Sequence, residues 1–206
     1  MELRNGKRLV DFIKANNWKV LPLQLVVLRN ADSDSWQPVS GGGKIDHWDD
    51  AIILLSEDGE IIFSVRGTAD PGLHYSKQPM NPAGTVRIAN GQHLECWQRG
   101  WHFKQRAFTQ CKPIMVTRDR NRNLSWSDEQ VHSASGIGLN VHTTANGPSS
   151  TLFDRVGKWS AGCVVIRSAS VFYNKLNPQF DSSGLRFLTV DVVDSEAYTK
   201  WRQKWG

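Results

Sequence analysis

Cysteine is scarce in this sequence and its hydrophobic runs are short. Cys96, Cys111 and Cys163 are the three cysteines of 206 residues, an odd number in a chain too long for a disulfide-stapled scaffold. No segment approaches the roughly 18–20 continuous apolar residues of a membrane-spanning helix. The longest runs, Val26-Val27-Leu28 and Ile52-Ile53-Leu54-Leu55, are strand-sized. The opening MELRNGKRLVDFIKANN is charged from its second residue and lacks an apolar core, which predicts synthesis in the cytoplasm without a secretory signal. Internal repeats, low-complexity tracts and linkers are also missing, as are RNP-like, helix-turn-helix and finger signatures. The six histidines show no His-Glu-x-x-His or other zinc spacing, which counts against a metallopeptidase; no metal and no cofactor are expected.

What is there suits one soluble globular domain: 39% hydrophobic and 22% charged residues. The net charge is +5, with a pI near 9.2 and nine tryptophans. Such a basic surface favours a polyanion: nucleic acid, a membrane surface or an anionic wall polymer. The positive residues are scattered, however, and Arg118, Arg120 and Arg122 alternate with Asp119 and asparagines. With no recognition motif beside them, neither a nucleic acid nor a membrane is the expected partner. Trp97, Trp101 and Trp126 lie in loop-like sequence and could stack on sugar or peptide. Asp119, Asn121, Asn123 and Ser125 alternate as in a calcium loop, but Leu124 replaces the central glycine and Gln130 the bidentate glutamate. A turn is expected there.

Apolar residues from Leu3 to Ile13 recur at helical spacing, predicting a short amphipathic helix over 3–15. Strands are expected at 20–28, 84–88, 108–110, 114–118, 136–142 and 185–193, with a hairpin of 51–55 and 60–65 across the SEDG turn. Residues 30–50 read as a polar loop, 67–83 as an ordered irregular loop, and 195–205 as a closing helix. The fold class is mostly β, with short flanking helices. Residues 1–50 are an accessory or packing piece, and 51–206 the main unit of one compact domain.

The chemistry centres on Val156-Gly157-Lys158-Trp159-Ser160-Ala161-Gly162-Cys163. A buried cysteine is commonly a small hydrophobe. Here, as a strand, 136–142 would present Asn140 and His142 on one face, and 17 residues separate His142 from Ser160. An imidazole is the usual activator of a thiol and the proton carrier for its leaving group. Small residues at Ala161 and Gly162 would admit a substrate carbonyl, with backbone N–H groups around Cys163 to hold an oxyanion.

His142, this spacer and Ser160-Ala161-Gly162-Cys163 resemble the signature of the L,D-transpeptidase catalytic-domain family: a histidine, a similar spacer, then Ser/Thr-His-Gly-Cys. Asn81-Pro82-Ala83-Gly84-Thr85-Val86-Arg87-Ile88 resembles the family's Thr-Pro-x-Gly-x-Phe-x-Ile block. Ala161 departs from the pattern, and Val165 stands where an arginine is usual, with Arg167 two positions on. TADPG (68–72), GWH (100–102) and TRDRN (117–121) are closer to a divergent branch of phage-like lytic enzymes. The resemblance implies a β-sandwich catalytic domain, probing peptidoglycan stem peptides through an acyl-enzyme on Cys163. His142 would be the base, its other nitrogen oriented by a main-chain carbonyl or by Ser160, with Gly162 beside the nucleophile. His102, Asn140, Ala161, Arg167 and Tyr75 are the candidate substrate-side residues.

Three functions compete. A lytic hydrolase, monomeric, made in the cytoplasm and delivered to the bacterial wall by a phage or as an effector, fits the missing export signal. Transfer to an amine, a transpeptidase, shares the first half-reaction. A non-catalytic wall-binding module would leave Cys163 inert. A papain-like enzyme is excluded by chain order, since every histidine precedes Cys163.

Overall fold

A computed structural model describes residues 4–205; Leu3, counted into the first helical run, lies outside them. Helix α1 (Gly6–Ala15) begins at Asn5, whose side chain accepts the Arg8 N–H. Strands β1 (Leu23–Arg29), β2 (Asp50–Ser56) and β3 (Ile61–Thr68) follow, and then a short helix α2 (Leu73–Lys77). Next come β4 (Thr85–Ile88), β5 (Gly91–His102), β6 (Gln105–Gln110), β7 (Ile114–Asp119), β8 (His132–Ala134), β9 (Val141–Thr143) and β10 (Val164–Ile166). A helical run of α3 (Ala169–Val171), a π-helical turn (Phe172–Leu176) and α4 (Asn177–Ser182) leads to β11 (Phe187–Asp194) and α5 (Ser195–Trp205).

The mostly-β expectation holds, but the strands do not form two stacked sheets. Eight of them close a barrel in the order β1-β11-β5-β6-β9-β10-β3-β2, and β4-β7-β8 form a separate three-stranded sheet. Closure removes the open edges that a sandwich would leave. Its physical basis is visible in β1, which is buried at all seven positions. Leu25 and Val27 join Ile52, Leu54 and Phe108 in the inner core. Val26 and Leu28 meet Leu9, Phe12 and Ile13 of α1 and Tyr198 of α5. Each such side chain contributes about 1.5–3 kcal/mol by leaving water. Residues before 50 are therefore part of the barrel wall: β1 pairs with β2 on one side and runs parallel to β11 on the other.

Three expectations need correction. No strand spans 136–142, because Gly136 and Gly138 have φ of +63° and +72° and turn the chain. Ile137 is consequently exposed, and only Val141–Thr143 joins the barrel. Residues 91–102, unassigned by sequence, form the longest strand, broken by a left-handed Glu95 (φ +54°) where β11 shifts register. The irregular loop at 67–83 contains α2. Among the described residues, no helix is long and apolar enough to cross a membrane.

Candidate active site

The cleft, about 490 Å³, lies between the barrel ends of β9 and β10 and the sheet edge at β4. Cys163, Leu139 and Val86 line its inner part, and Tyr75, Ala161 and His102 also face it. Cys163 just precedes β10, and Asn140 just precedes β9. These strands are parallel, with Val164 opposite Val141 and Val165 opposite His142. Cys163 thus stands opposite Asn140, with His142 two positions further along the neighbouring strand, where it lines the adjoining cavity with Lys104 and Lys158 and not the cleft itself. Cys163 is 5% exposed and His142 1%. The Asn140 N–H donates to Cys163 Sγ at 3.4 Å, and the thiol donates to the Gly138 carbonyl at 3.7 Å.

The Thr143 carbonyl 2.9 Å from Nδ1 favours the Nδ1–H tautomer of His142. Gln105 Nε2 donates to the same oxygen at 3.0 Å and lies 3.1 Å from Nδ1. Nε2 is left with a lone pair and no partner. Burial, then the neighbouring His102, depress the His142 pKa to about 3, so the ring is neutral at ordinary pH. His102 stacks on His142 at 4.3 Å between centroids, 17° from parallel. Asn140 Oδ1 accepts the Gln110 N–H at 3.1 Å, which turns its amide nitrogen to His102 Nδ1 at 3.0 Å. His102 therefore holds its proton on Nε2 when neutral, the form that burial favours.

Burial also pushes the Cys163 thiol up, to about 11, partly offset by the Asn140 N–H. The resting groups are a thiol and a neutral imidazole, not an ion pair. Iodoacetamide labelling followed by peptide mapping should show exposed Cys111 reacting first at pH 8. Cys163 should react slowly and gain rate with pH toward 11. A Cys163 rate already saturated at pH 7 would reveal a thiolate–imidazolium pair instead.

Ser160 is a structural post for the loop. Its Oγ donates to the Cys163 carbonyl at 3.0 Å and accepts the Gly162 N–H at 3.1 Å. Its carbonyl takes the Gly72 N–H at 2.9 Å. The Val164 N–H goes to the Asn140 carbonyl at 3.0 Å. Of the backbone donors expected for an oxyanion, those of Gly162 and Val164 are thus already engaged. It is the Thr143 carbonyl, not Ser160, that orients His142. Arg167 does not line the cleft: its Nε donates to the Phe153 carbonyl at 2.7 Å, and Asp154 lies 3.7 Å from its Nη2. Trp97 and Trp126 are buried, donating to the Leu139 and Thr85 carbonyls at 2.7 and 3.2 Å, so they brace the site's loops; Trp101 alone of the three is exposed. In the 119–129 turn, Asp119 and Glu129 accept backbone N–H groups and Asp128 accepts the Asn121 and Asn123 amides. No group of residues placed to hold a metal occurs among the described residues.

Gly162 has φ +122°, and a Cβ there would lie 2.5 Å from the Val86 carbonyl. The backbone must pass this close to β4 to set Cys163 at the cleft floor. Gly162→Ala should displace Cys163 and lower any turnover that depends on its thiol roughly 100-fold, the scale of a 1 Å misplacement. Comparing its kcat with its urea-unfolding midpoint checks this; unchanged kcat would mean that the loop accommodates the methyl group.

Sequence reasoning missed Gln105 and Asp46. Asp46 Oδ1 accepts the Gly157 N–H at 2.6 Å and the Leu73 N–H at 3.0 Å, tying the 156–163 loop to α2. It stood in a polar stretch with no pattern of its own. Gln105 could have been found only from the pairing of β5 with β6, which places it opposite His102. No protein-family profile matches the chain, and no curated protein or solved structure matches it either.

Proposed function

We propose that the protein is a cysteine acyl-enzyme hydrolase of L,D-transpeptidase type, acting on peptidoglycan stem peptides. The carrying observation is a buried thiol in a cleft, two register positions from a neutral imidazole on the neighbouring strand whose Nε2 is unpartnered. A buried imidazole with an unpartnered lone pair, on the strand next to the one that carries a protonated thiol, supports the reading of His142 as a general base. Cys163 Sγ attacks the amide carbonyl as His142 Nε2 takes the thiol proton. The C–N bond breaks, and His142 returns that proton to the leaving amine. Water then attacks the thioester, giving one proton to His142, and the carboxylic acid leaves as the thiol is restored from the imidazolium.

Hydrolysis is favoured over transfer by the second cavity, about 260 Å³, on the His142 side. Lys104 and Lys158 line it with His102 and Asn146, and no carboxylate does. Two ammonium groups disfavour a protonated amine acceptor and leave water unaffected. Incubating purified muropeptides with the protein and weighing the products tests the reading. New fragments differing from substrate by one water support hydrolysis. A gained amino acid or a dimer would establish transfer, and unchanged muropeptides would sink both.

A further inference from the structure

The same cleft carries an anion-binding group with no anion. Arg118, on β7, lines it together with Gly84, Asn81 and Lys158, and no Asp or Glu lines it. Arg118 is half-buried and has no carboxylate within ion-pair distance among the described residues. Its Nη1 donates to the Gly84 carbonyl at 2.6 Å, which fixes the guanidinium against the cleft wall and leaves further donors of the fork. Burial, followed by the like charge of Arg120, works against its protonated form, so an incoming anion would relieve an unfavourable state. Three other half-buried arginines are paired with carboxylates: Arg87 with Asp70 at 2.7 Å, Arg99 with Asp181 and Arg167 with Asp154. Arg118 has no such pair and lines the cleft that holds Cys163.

We infer that Arg118 is a specificity residue that binds a substrate carboxylate flanking the scissile amide, with Lys158 adding charge at the rim. This rests on the peptidase reading above and narrows its substrates to stem peptides that keep that carboxylate free. Arginine suits the role because its planar fork grips a carboxylate through two N–H groups, whereas lysine offers a point charge. A stem peptide presents such a group either at its C-terminus or as the α-carboxylate of its γ-linked D-glutamate.

Three forms of one stem tetrapeptide separate these sources: the free acid, the C-terminal amide, and the form with D-isoglutamine in place of D-glutamate. Wild type and Arg118→Gln are compared on all three by kcat/KM, with urea unfolding confirming that both are folded. The free acid should lose roughly 10–100-fold in Arg118→Gln, the range of a charge-assisted hydrogen bond. Amidating the carboxylate that Arg118 holds should cost wild type a similar factor and make the variant and wild type converge on that peptide. The other amidated form should still distinguish them. Equal loss by the variant on all three peptides would overturn the inference while leaving the peptidase reading intact. No turnover of any peptide by wild type would overturn the reading, and the inference with it.

Discussion

Replacing Cys163 with alanine is expected to lower muropeptide turnover by at least about 10⁴-fold, because the proposed covalent step would lose its nucleophile. The loss should not come from unfolding. Cys163 is a small side chain at 5% exposure, and deleting its sulfur should cost about 1 kcal/mol, like other small core truncations. Product mass spectrometry together with thermal melting separates the two causes. His142→Ala should lose a comparable factor, and the double variant little more, since thiol and base act as one unit. The pH profile carries a second signature. With His142 held near 3, kcat/KM should show no break around pH 6.5, where an ordinary imidazole would titrate. A clear inflection at 6.5 would assign the base to a different, solvated histidine. A wild-type rate matched by Cys163→Ala would return the protein to a binding role.

Asp70→Ala is expected to destabilise the fold by about 3–5 kcal/mol, the cost of stranding a buried charge. Asp70 Oδ1 accepts from Arg29 Nε at 3.1 Å and Arg87 Nε at 2.7 Å. Arg29 is 2% exposed and is otherwise held by Asn90 Oδ1 and the Ile88 carbonyl, each at 2.8 Å. Without the carboxylate, two guanidinium groups repel each other, one of them wholly inside the protein. Asp50, whose pKa burial raises to about 7, cannot replace it: its two oxygens already accept the Asn30 and Ala69 N–H groups. Urea unfolding at pH 7 reads the effect, and a loss below 1 kcal/mol would mean that Arg29 finds other partners. Pro71 and Gly72 follow Asp70, and the Gly72 N–H supports Ser160. The variant should therefore also lose activity at urea concentrations where it is still folded.

The parts of this molecule that sequence made legible are those with local signals. The hairpin of β2 and β3 announces itself by two apolar runs across SEDG, and α5 occupies the segment 195–205 expected as a closing helix. Order and spacing single out His142 and Cys163, and the fold sets β9 and β10, which carry or adjoin them, side by side, although the strand expected over 136–142 begins only at Val141. What sequence hid depends on partners far along the chain. The strand at 91–102 mixes Gly, Arg, Gln and Trp and has no clear alternation, because β11 and β6 rather than its own pattern hold it extended. Barrel closure depends on β1 meeting β11, a pairing across most of the sequence that no window reports. The family resemblance points to Arg167, near the place of the family's arginine, yet Asp154 and the Phe153 carbonyl hold it. Arg118, more distant in sequence, is the arginine that the fold brings to the cleft.

The parallel seam between β1 and β11 also sets a schedule for biosynthesis. Residues 23–29 leave the ribosome long before their partner strand, 187–194. Until then β1 and β5 each have an edge with unpaired backbone groups, and the barrel cannot close. Non-local pairing of this kind folds slowly, on the millisecond-to-second scale. The nascent chain thus carries Cys163 and His142 well before it has the closed wall that positions them. A chain truncated before β11 should be both inactive and prone to edge-to-edge association, whereas one shortened only within α5 would keep the seam.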